Sequence, residues 1–224
     1  MTGRIISLRA DDGHVLGAYE ALPDGAPRGG LILLQEIFGV TAHIRSVCDG
    51  YAANGYHVVA PALFDRVRRN TELGYSKSDA AIGRDLRGKI SWEQVTADVK
   101  AAQKQIGQAG KIVTLGYCWG GTVSWRSAGH VDGIAGAICY YGTQIAPYVA
   151  EKPRCPVLMH FGERDPIATL EHAGALRAAQ GSQVEIQVYP ASHGFNCDET
   201  DNFHAPSAAI ALRRSLEFLA AHLG

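Results

Sequence analysis

A six-residue run in the second half of the chain has the composition that places a thiol nucleophile on a sharp turn. It reads Gly116-Tyr117-Cys118-Trp119-Gly120-Gly121 and follows an apolar stretch. In a strand-to-helix turn the nucleophile has a strained backbone, so the residues two positions away must be very small, as Gly116 and Gly120 are. The turn also places Cys118 at a helix N-terminus, where the helix dipole favours a thiolate. The run therefore predicts a nucleophile elbow with cysteine in the usual serine position.

Cys118 also has a purely structural interpretation, because free cysteines are often buried as small hydrophobic residues. Two other residues favour chemistry. Asp165 comes shortly after the apolar run Pro156–Phe161, and His193 comes shortly after the run Val184–Tyr189. The order nucleophile, acid, histidine, each just past a predicted strand, is the order of α/β-hydrolases.

These three residue types support acyl transfer through a covalent acyl-enzyme. His193 would accept the thiol proton and later give it to the leaving group, and Asp165 would hold the imidazole tautomer. Asp165 could instead be a helix N-cap before Pro166, and His193 could be a turn residue. Glu163 competes for the acid role, although Asp165 fits the turn before Pro166 better.

Acyl transfer also requires amide donors for the oxyanion of the tetrahedral intermediate. The amide of Trp119, directly after the nucleophile, is one candidate. The amide of Ile37 is the second, because the loop after the apolar run Gly30–Gln35 supplies this donor in the same architecture. Glu36 ends that run and would point into the site, where a carboxylate could control the protonation of Cys118. Its alternative interpretation is a carboxylate that caps the next helix or pairs with an arginine.

The elements that must position these residues alternate along the chain. Asp11-Asp12-Gly13 predicts a hairpin turn, and residues 62–91 are polar and could form a cap or a loop with short helices. Alternation of strands and helices implies a mostly parallel sheet flanked by helices on both faces, an α/β-hydrolase fold in one domain over residues 1–224. The predicted strands are Ile5–Arg9, Val15–Ala21, Gly30–Gln35, His57–Pro61, Lys111–Tyr117, Gly136–Tyr141, Pro156–Phe161 and Val184–Tyr189. The predicted helices are Ile44–Ala52, Trp92–Ile106, Gly120–Ala128, Leu170–Gln180 and Ser207–Leu223. The first of these helices follows Thr41 and ends before Asn54-Gly55.

Composition excludes several functional classes. With 46% hydrophobic and 19% charged residues the chain can form a core, and a formal charge of −1 gives no reason to expect nucleic-acid binding. We interpret the basic run of Arg66, Arg68 and Arg69 as a solvated loop. No apolar stretch approaches a membrane span, and the first residues lack the apolar core of a signal peptide, so we expect a cytoplasmic protein.

The cysteine and histidine spacings give no metal or disulfide signature. Five cysteines are an odd number without C-x-x-C spacing, which favours reduced thiols. The nine histidines are scattered, so we expect no metal site. His160, inside a predicted strand, is interpreted as a buried histidine with satisfied hydrogen bonds. Phe38, Trp119 and Tyr141 are candidate pocket walls or ordinary core.

Together, the motifs resemble the dienelactone hydrolase (carboxymethylenebutenolidase) family over almost the whole chain. The resemblance implies that Cys118, Asp165 and His193 are the triad and that Glu36 activates the thiol when substrate binds. It also implies unsaturated lactones with a free carboxylate as substrates, in the breakdown of aromatic compounds, with no metal or organic cofactor. The motifs that carry it are Gln35-Glu36-Ile37-Phe38-Gly39, the elbow, Tyr140-Tyr141-Gly142, Gly162-Glu163-Arg164-Asp165 and His193-Gly194-Phe195.

One position departs from the family pattern. Cys197 stands four residues after the histidine, where the prototype has an arginine that binds the substrate carboxylate. A second carboxylate-binding arginine lies before the long helix in the prototype, and Tyr75, Lys77 and Arg84 are the candidates here. Substrate-binding candidates are therefore Phe38, Tyr75, Arg84 and Tyr141.

Three other functions use the same residues differently. A general carboxylesterase or thioesterase would share the triad and differ in its pocket. A binding protein on the same fold would have no use for the aligned triad, and a redox protein would pair Cys118 with Cys197. For the hydrolase we expect a small-molecule ester or lactone, no nucleic-acid or membrane partner, and a monomer or small homo-oligomer.

Overall fold

The computed structural model describes residues 3–223. Within them lie eight strands and six α-helices in alternating order, so the predicted α/β class with a mostly parallel sheet is confirmed. Contacts divide the chain into two compact units, Met1–Ile112 and Val113–Gly224. The single domain predicted over the whole chain stays a prediction.

The strands of the first unit follow the order β1-β2-β4-β3. β1 pairs with β2 and β2 with β4 in antiparallel register, whereas β3 and β4 are parallel. The predicted hairpin turn between β1 and β2 is confirmed, and Gly13 takes the positive φ of 85° that this turn needs. The bounds are β1 Arg4–Arg9, β2 Val15–Ala21, β3 Gly30–Leu34 and β4 His57–Pro61.

The helices of the first unit are α1 Ala42–Ala53, α2 Lys77–Gly88 and α3 Trp92–Gln105. Thr41 caps α1 by accepting a hydrogen bond from the Ile44 amide, as its position in the sequence predicts. The chain leaves α1 at Asn54-Gly55, where Gly55 has φ 96°.

The stretch predicted as a cap or loop with short helices contains a short 3₁₀ turn, Leu63–Arg66, and the twelve-residue helix α2. α2 begins with a capping box in which Ser76 and Asp79 satisfy each other's backbone amides. Hydrophobic periodicity does not reveal α2 clearly, because Gly83 and Leu86 are its only fully buried positions in the described chain.

The interpretation of the basic run as a solvated loop is wrong for Arg66. Its side chain is only 6% exposed and forms a two-pronged ion pair with Asp98, which is completely buried. Arg68 and Arg69 are exposed, as predicted. Arg66 therefore ties the segment after β4 to the helix α3.

The second unit supplies the parallel strands that end in the candidate residues. Its order is β5-β6-β7-β8, with Tyr140 of β6 opposite His160 of β7, and Gly162 of β7 opposite Tyr189 of β8. Side-chain chemistry concentrates at the carboxyl ends of such strands. The bounds are β5 Ile112–Tyr117, α4 Trp119–His130, β6 Ile134–Tyr140, β7 Val157–Gly162, α5 Leu170–Gln180, β8 Val184–Tyr189 and α6 Ala205–Leu223.

Candidate active site

The predicted elbow is a sharp turn between β5 and α4. Cys118 has φ 55° and ψ −118°, a backbone conformation that residues other than glycine rarely adopt. The turn brings Gly116 against Gly120 so closely that a Cβ on Gly116 would lie 2.0 Å from the Gly120 carbonyl oxygen. The glycine therefore permits the approach that sets the cysteine at the helix N-terminus.

Backbone hydrogen bonds hold the strained cysteine in place. The Cys118 amide donates to the Tyr140 carbonyl oxygen at 3.0 Å, and the Cys118 carbonyl accepts from the Gly121 amide at 3.0 Å. Cys118 is 6% exposed. The thiol is thus presented on a fixed backbone with a small exposed surface.

Asp165 faces His193 from a buried turn. Its Oδ2 atom lies 2.8 Å from Nδ1 of His193, while Oδ1 accepts from the amides of Ile167 and Ala168 at 2.8 and 2.9 Å. The carboxylate therefore both caps a turn and contacts a histidine. The helix N-cap interpretation of Asp165 is wrong, because Thr169 caps α5, and the acid role of Asp165 stays a prediction. Glu163, the competing acid, is exposed.

The charge on His193 depends on two partners. Burial alone would lower its pKa, but the negative charge on Cys118 and hydrogen bonds with Asp165 and Cys118 outweigh burial and raise the pKa to about 10. Cys118 and Asp165 thus favour the protonated form of the imidazole. This arrangement can activate a thiol and can also supply a proton to a leaving group.

Tyr141 packs against His193 rather than standing open to a ligand. It is fully buried, and its ring lies edge-on to the imidazole with centroids 5.0 Å apart. Its backbone has φ 38°, a second strained position directly after β6. Tyr141 therefore supports the imidazole ring, and its predicted substrate contact stays a prediction.

Glu36 and its neighbours belong to the first unit. Glu36 follows β3 and is 4% exposed. Gln35 holds this turn, because its side-chain amide donates to the Glu36 carbonyl and accepts from the Leu63 amide. The cap of α1 is provided by Thr41. Ile37 contacts α2 so closely that a Cβ on Gly83 would lie 1.9 Å from the Ile37 carbonyl oxygen.

The candidate substrate contacts of the first unit fall into two groups. Phe38 and Tyr75 form an edge-to-face pair with ring centroids 4.7 Å apart, and the Tyr75 hydroxyl lies 3.1 Å from Thr41 Oγ1. Lys77 and Arg84, on α2, are exposed. Phe38 and Tyr75 thus contact each other, whereas the side chains of Lys77 and Arg84 lie on the exposed surface of α2.

Cys197 is 1% exposed, and the cysteines of residues 3–223 carry no disulfide. Its amide donates to the Gly194 carbonyl at 2.9 Å, within the same loop as His193. In that part of the chain no group of three or more histidine, cysteine or acidic side chains could hold a metal ion. Among the helices described, none is long and apolar enough to cross a membrane.

Sequence reasoning missed the role of Arg164, which joins two loops that carry predicted site residues. The Arg164 amide donates to the Ala191 carbonyl, and its guanidinium donates to the Pro190 carbonyl at 2.8 Å. These bonds fix the turn of Asp165 to the segment that carries His193. The sequence signal is weak, because an arginine in a polar turn usually lies free in solvent.

Comparisons with known proteins agree with this geometry. The sequence profile of the dienelactone hydrolase family matches residues 16–223. A Yersinia pestis protein provisionally named carboxymethylenebutenolidase is 32% identical over 94% of this chain and 85% of its own length. The carboxymethylenebutenolidase of Pseudomonas putida is 30% identical over 96% of this chain and 95% of its own.

Solved structures include the same fold. A crystal structure from Klebsiella pneumoniae subsp. pneumoniae, of a provisionally assigned dienelactone hydrolase, superposes with a TM-score of 0.83 and 29% identity. The superposition covers 97% of this chain and 99% of that one. The predicted α/β-hydrolase fold is therefore confirmed, and the chain belongs to the dienelactone hydrolase family of carboxylic ester hydrolases.

Proposed function

We propose that the chain hydrolyses a lactone or small carboxylic ester with Cys118 as nucleophile, His193 as general acid and base, and Asp165 as the residue that orients His193. The observation that carries the proposal is the 2.8 Å contact between Asp165 Oδ2 and His193 Nδ1, together with the hydrogen bond between His193 and Cys118. A strained, pre-positioned thiolate beside an imidazolium is the arrangement that acyl transfer requires.

The reaction has two halves. The Cys118 thiolate attacks the substrate carbonyl carbon, the carbon–sulfur bond forms, and the leaving alkoxide takes the proton of His193. Neutral His193 then removes a proton from water, whose oxygen attacks the thioester carbon and expels the thiolate. For a lactone the leaving alkoxide stays attached, so the product is a single hydroxy acid or its keto tautomer.

Amide donors and a carboxylate complete the proposed machinery. The Trp119 amide begins α4, at the positive end of the helix dipole, and we assign it to the oxyanion together with the amide of Ile37. Glu36 is proposed to control the protonation of the thiol. Glu36→Gln should then change the alkylation rate of Cys118 and its pH dependence, and an unchanged pH profile would make Glu36 structural.

The proposal also concerns the class of substrate, for which there are two candidates. The relatives named carboxymethylenebutenolidase support a dienelactone-type substrate. The resemblance of the sequence motifs to the family further implies a role in the breakdown of aromatic compounds. Cys197 favours the second candidate, a carboxylesterase or thioesterase of relaxed specificity, because a buried thiol cannot bind a substrate carboxylate as arginine does. Phe38, Tyr75, Arg84 and Tyr141 remain the proposed substrate contacts.

Cellular context completes the proposal. We infer a cytoplasmic enzyme that needs no metal or organic cofactor and acts as a monomer or small homo-oligomer.

The redox alternative, a disulfide between Cys118 and Cys197, is tested by mild oxidation followed by mass spectrometry of the linked peptides.

The test compares hydrolysis of a carboxylate-bearing dienelactone with hydrolysis of a neutral p-nitrophenyl ester. Cys118→Ala should abolish both reactions, whereas the control Cys155→Ala, also 6% exposed, should keep them. Activity that survives in Cys118→Ala would overturn the nucleophile assignment. Turnover of the neutral ester without the lactone would select the second candidate.

A further inference from the structure

A buried chain of hydrogen bonds runs behind the triad, and the proposed mechanism does not use it. The guanidinium of Arg214 donates to the Tyr189 hydroxyl at 3.1 Å, and that hydroxyl lies 2.8 Å from Nδ1 of His160. On the other side of the imidazole, Nε2 lies 3.1 Å from Ser215 Oγ, which lies 2.8 Å from the Tyr140 hydroxyl. We call these five residues the His160 network.

The known donor groups determine which atom donates and which accepts in each hydrogen bond of the network. Arginine can only donate, so the Tyr189 oxygen accepts from Arg214 and its own proton is directed to His160. Burial, with a smaller contribution from the charge of Arg214, lowers the pKa of His160 to about 3, so the ring is neutral at neutral pH. A neutral imidazole has one acceptor and one donor nitrogen. Nδ1 therefore accepts from Tyr189, and the Nε2 proton goes to Ser215.

The backbone of the network reaches every loop that carries a triad residue. The Tyr140 carbonyl accepts from the Cys118 amide, and the His160 carbonyl accepts from the Tyr141 amide at 2.8 Å. The Tyr189 carbonyl accepts from the Glu163 amide at 2.7 Å, at the start of the Asp165 turn. A change of strand position at β6, β7 or β8 would thus move the nucleophile, the acid or the base.

The rings of the network also support the histidine loop. Phe195, two residues after His193, packs on Tyr189 and Tyr140 with centroids 5.3 and 6.3 Å away. His160 itself stacks on Tyr140 with centroids 4.3 Å apart. The hydrogen bonds of His160 therefore orient the rings of Tyr189 and Tyr140, and these rings support the loop that carries His193.

We propose that His160 is a positioning residue for the triad: as the neutral Nε2–H tautomer it locks Tyr189, Ser215 and Tyr140 and so aligns the ends of β6, β7 and β8. This role rests on the proposed function, because alignment matters only if Cys118, Asp165 and His193 react together. It goes beyond the satisfied buried histidine that the sequence predicts, since it assigns a tautomer and a kinetic consequence.

The tautomer can be measured without any activity. In protein labelled with ¹⁵N-histidine, we expect the His160 signals, identified by their loss in His160→Gln, to show a protonated Nε2 and an acceptor Nδ1 at pH 7. An Nδ1–H tautomer or a protonated ring at pH 7 would overturn the proposal, and this experiment needs no variant to be active.

The kinetic arm uses a matched pair of buried serines. Ser215→Ala breaks the network, whereas Ser127→Ala removes a hydroxyl that, within residues 3–223, donates to the Val123 carbonyl of its own helix. We expect Ser215→Ala to lower kcat on the neutral ester by about tenfold, with KM within about threefold, because small misalignments of reacting groups cost mainly rate. Ser127→Ala should keep kcat within about twofold.

Two comparisons separate alignment from general stability. His160→Gln, which can still donate from the Nε2 position, should retain more kcat than His160→Leu at temperatures where both are folded. A folded Ser215→Ala with normal kcat and an unchanged pH profile of Cys118 alkylation would overturn the proposal. Failure of the proposed function would show instead as activity in Cys118→Ala, with the His160 tautomer unaffected.

Discussion

Asp165 reaches His193 with one carboxylate oxygen and its own turn with the other. Oδ2 lies 2.8 Å from His193 Nδ1, and Oδ1 accepts the amides of Ile167 and Ala168. The Asp165 carboxylate is therefore held by its own turn as well as by its contact with the histidine. We therefore expect that one substitution can remove the charge that faces His193 and that another can also remove the oxygen that caps the turn.

Asp165→Asn should keep the turn, because an amide oxygen can still accept the two backbone amides, but it removes the charge that holds the His193 tautomer. We expect kcat to fall by about 10³- to 10⁴-fold, and the melting temperature to fall by what the lost ion pair between Asp165 and His193 contributes. Asp165→Ala should lose the same activity and also about 1 kcal/mol of stability, because the turn loses its cap. Steady-state kinetics and thermal melts check both, and an active Asp165→Asn would contradict the role of the carboxylate.

Gly116→Ala should destabilise the fold strongly, because the new Cβ would lie 2.0 Å from the Gly120 carbonyl oxygen. We expect a loss of about 3 kcal/mol or more in the free energy of unfolding. Gly174→Ala is the matched control within α5, where a Cβ would meet no heavy atom of residues 3–223 within 4 Å. That change should stabilise by about 0.5–1 kcal/mol, and equal effects in urea unfolding would contradict the close approach at the elbow.

The raised pKa of His193 predicts a loss of stability in alkali. The folded pKa of about 10 lies above the ordinary value of 6.5, so the stabilisation is complete below pH 6.5 and is lost as pH rises through about 10. Cys118→Ser removes the side chain that contributes most to raising the pKa of His193, so the stabilisation should be smaller and its loss should be complete at a lower pH. Urea unfolding at a series of pH values between 6 and 10 measures this, and coincident curves would argue against the ion pair.

Arg66→Ala should leave Asp98 as an uncompensated buried carboxyl. Burial already raises the pKa of Asp98 even with Arg66 beside it. We expect a loss of about 3 kcal/mol, as for other buried pairs broken on one side. Arg69→Ala, on the exposed neighbour, should cost about 0.5 kcal/mol. Chemical unfolding of the two variants decides whether Arg66 is a buried partner or a surface residue.

The sequence predicted more of the backbone around the proposed site than of its surroundings. The elbow and the positions of Asp165 and His193 follow from local turn chemistry and from strand ends, which a single sequence displays. Helix α2 was less visible, because its few buried positions give almost no periodic signal. The burial of Arg66 depends on a partner 32 residues away, which no local pattern indicates.

The His160 network was hidden for the same reason. Its partners lie 29 and 55 residues away along the chain, so the sequence predicts a satisfied histidine without naming what satisfies it. The contact between Tyr141 and His193 likewise joins two strand ends. Long-range pairing, rather than local propensity, is what the structure adds.

Under the proposed role of Cys118, its left-handed backbone means that the active form of this protein is not its most stable form. With φ 55°, position 118 suits glycine, and holding any other residue there costs about 1–3 kcal/mol. The inactive Cys118→Gly protein should therefore melt at a higher temperature than the inactive Cys118→Ala protein. Selection for stability alone would favour glycine at position 118, so the proposed nucleophile stands where folding alone would not place a cysteine.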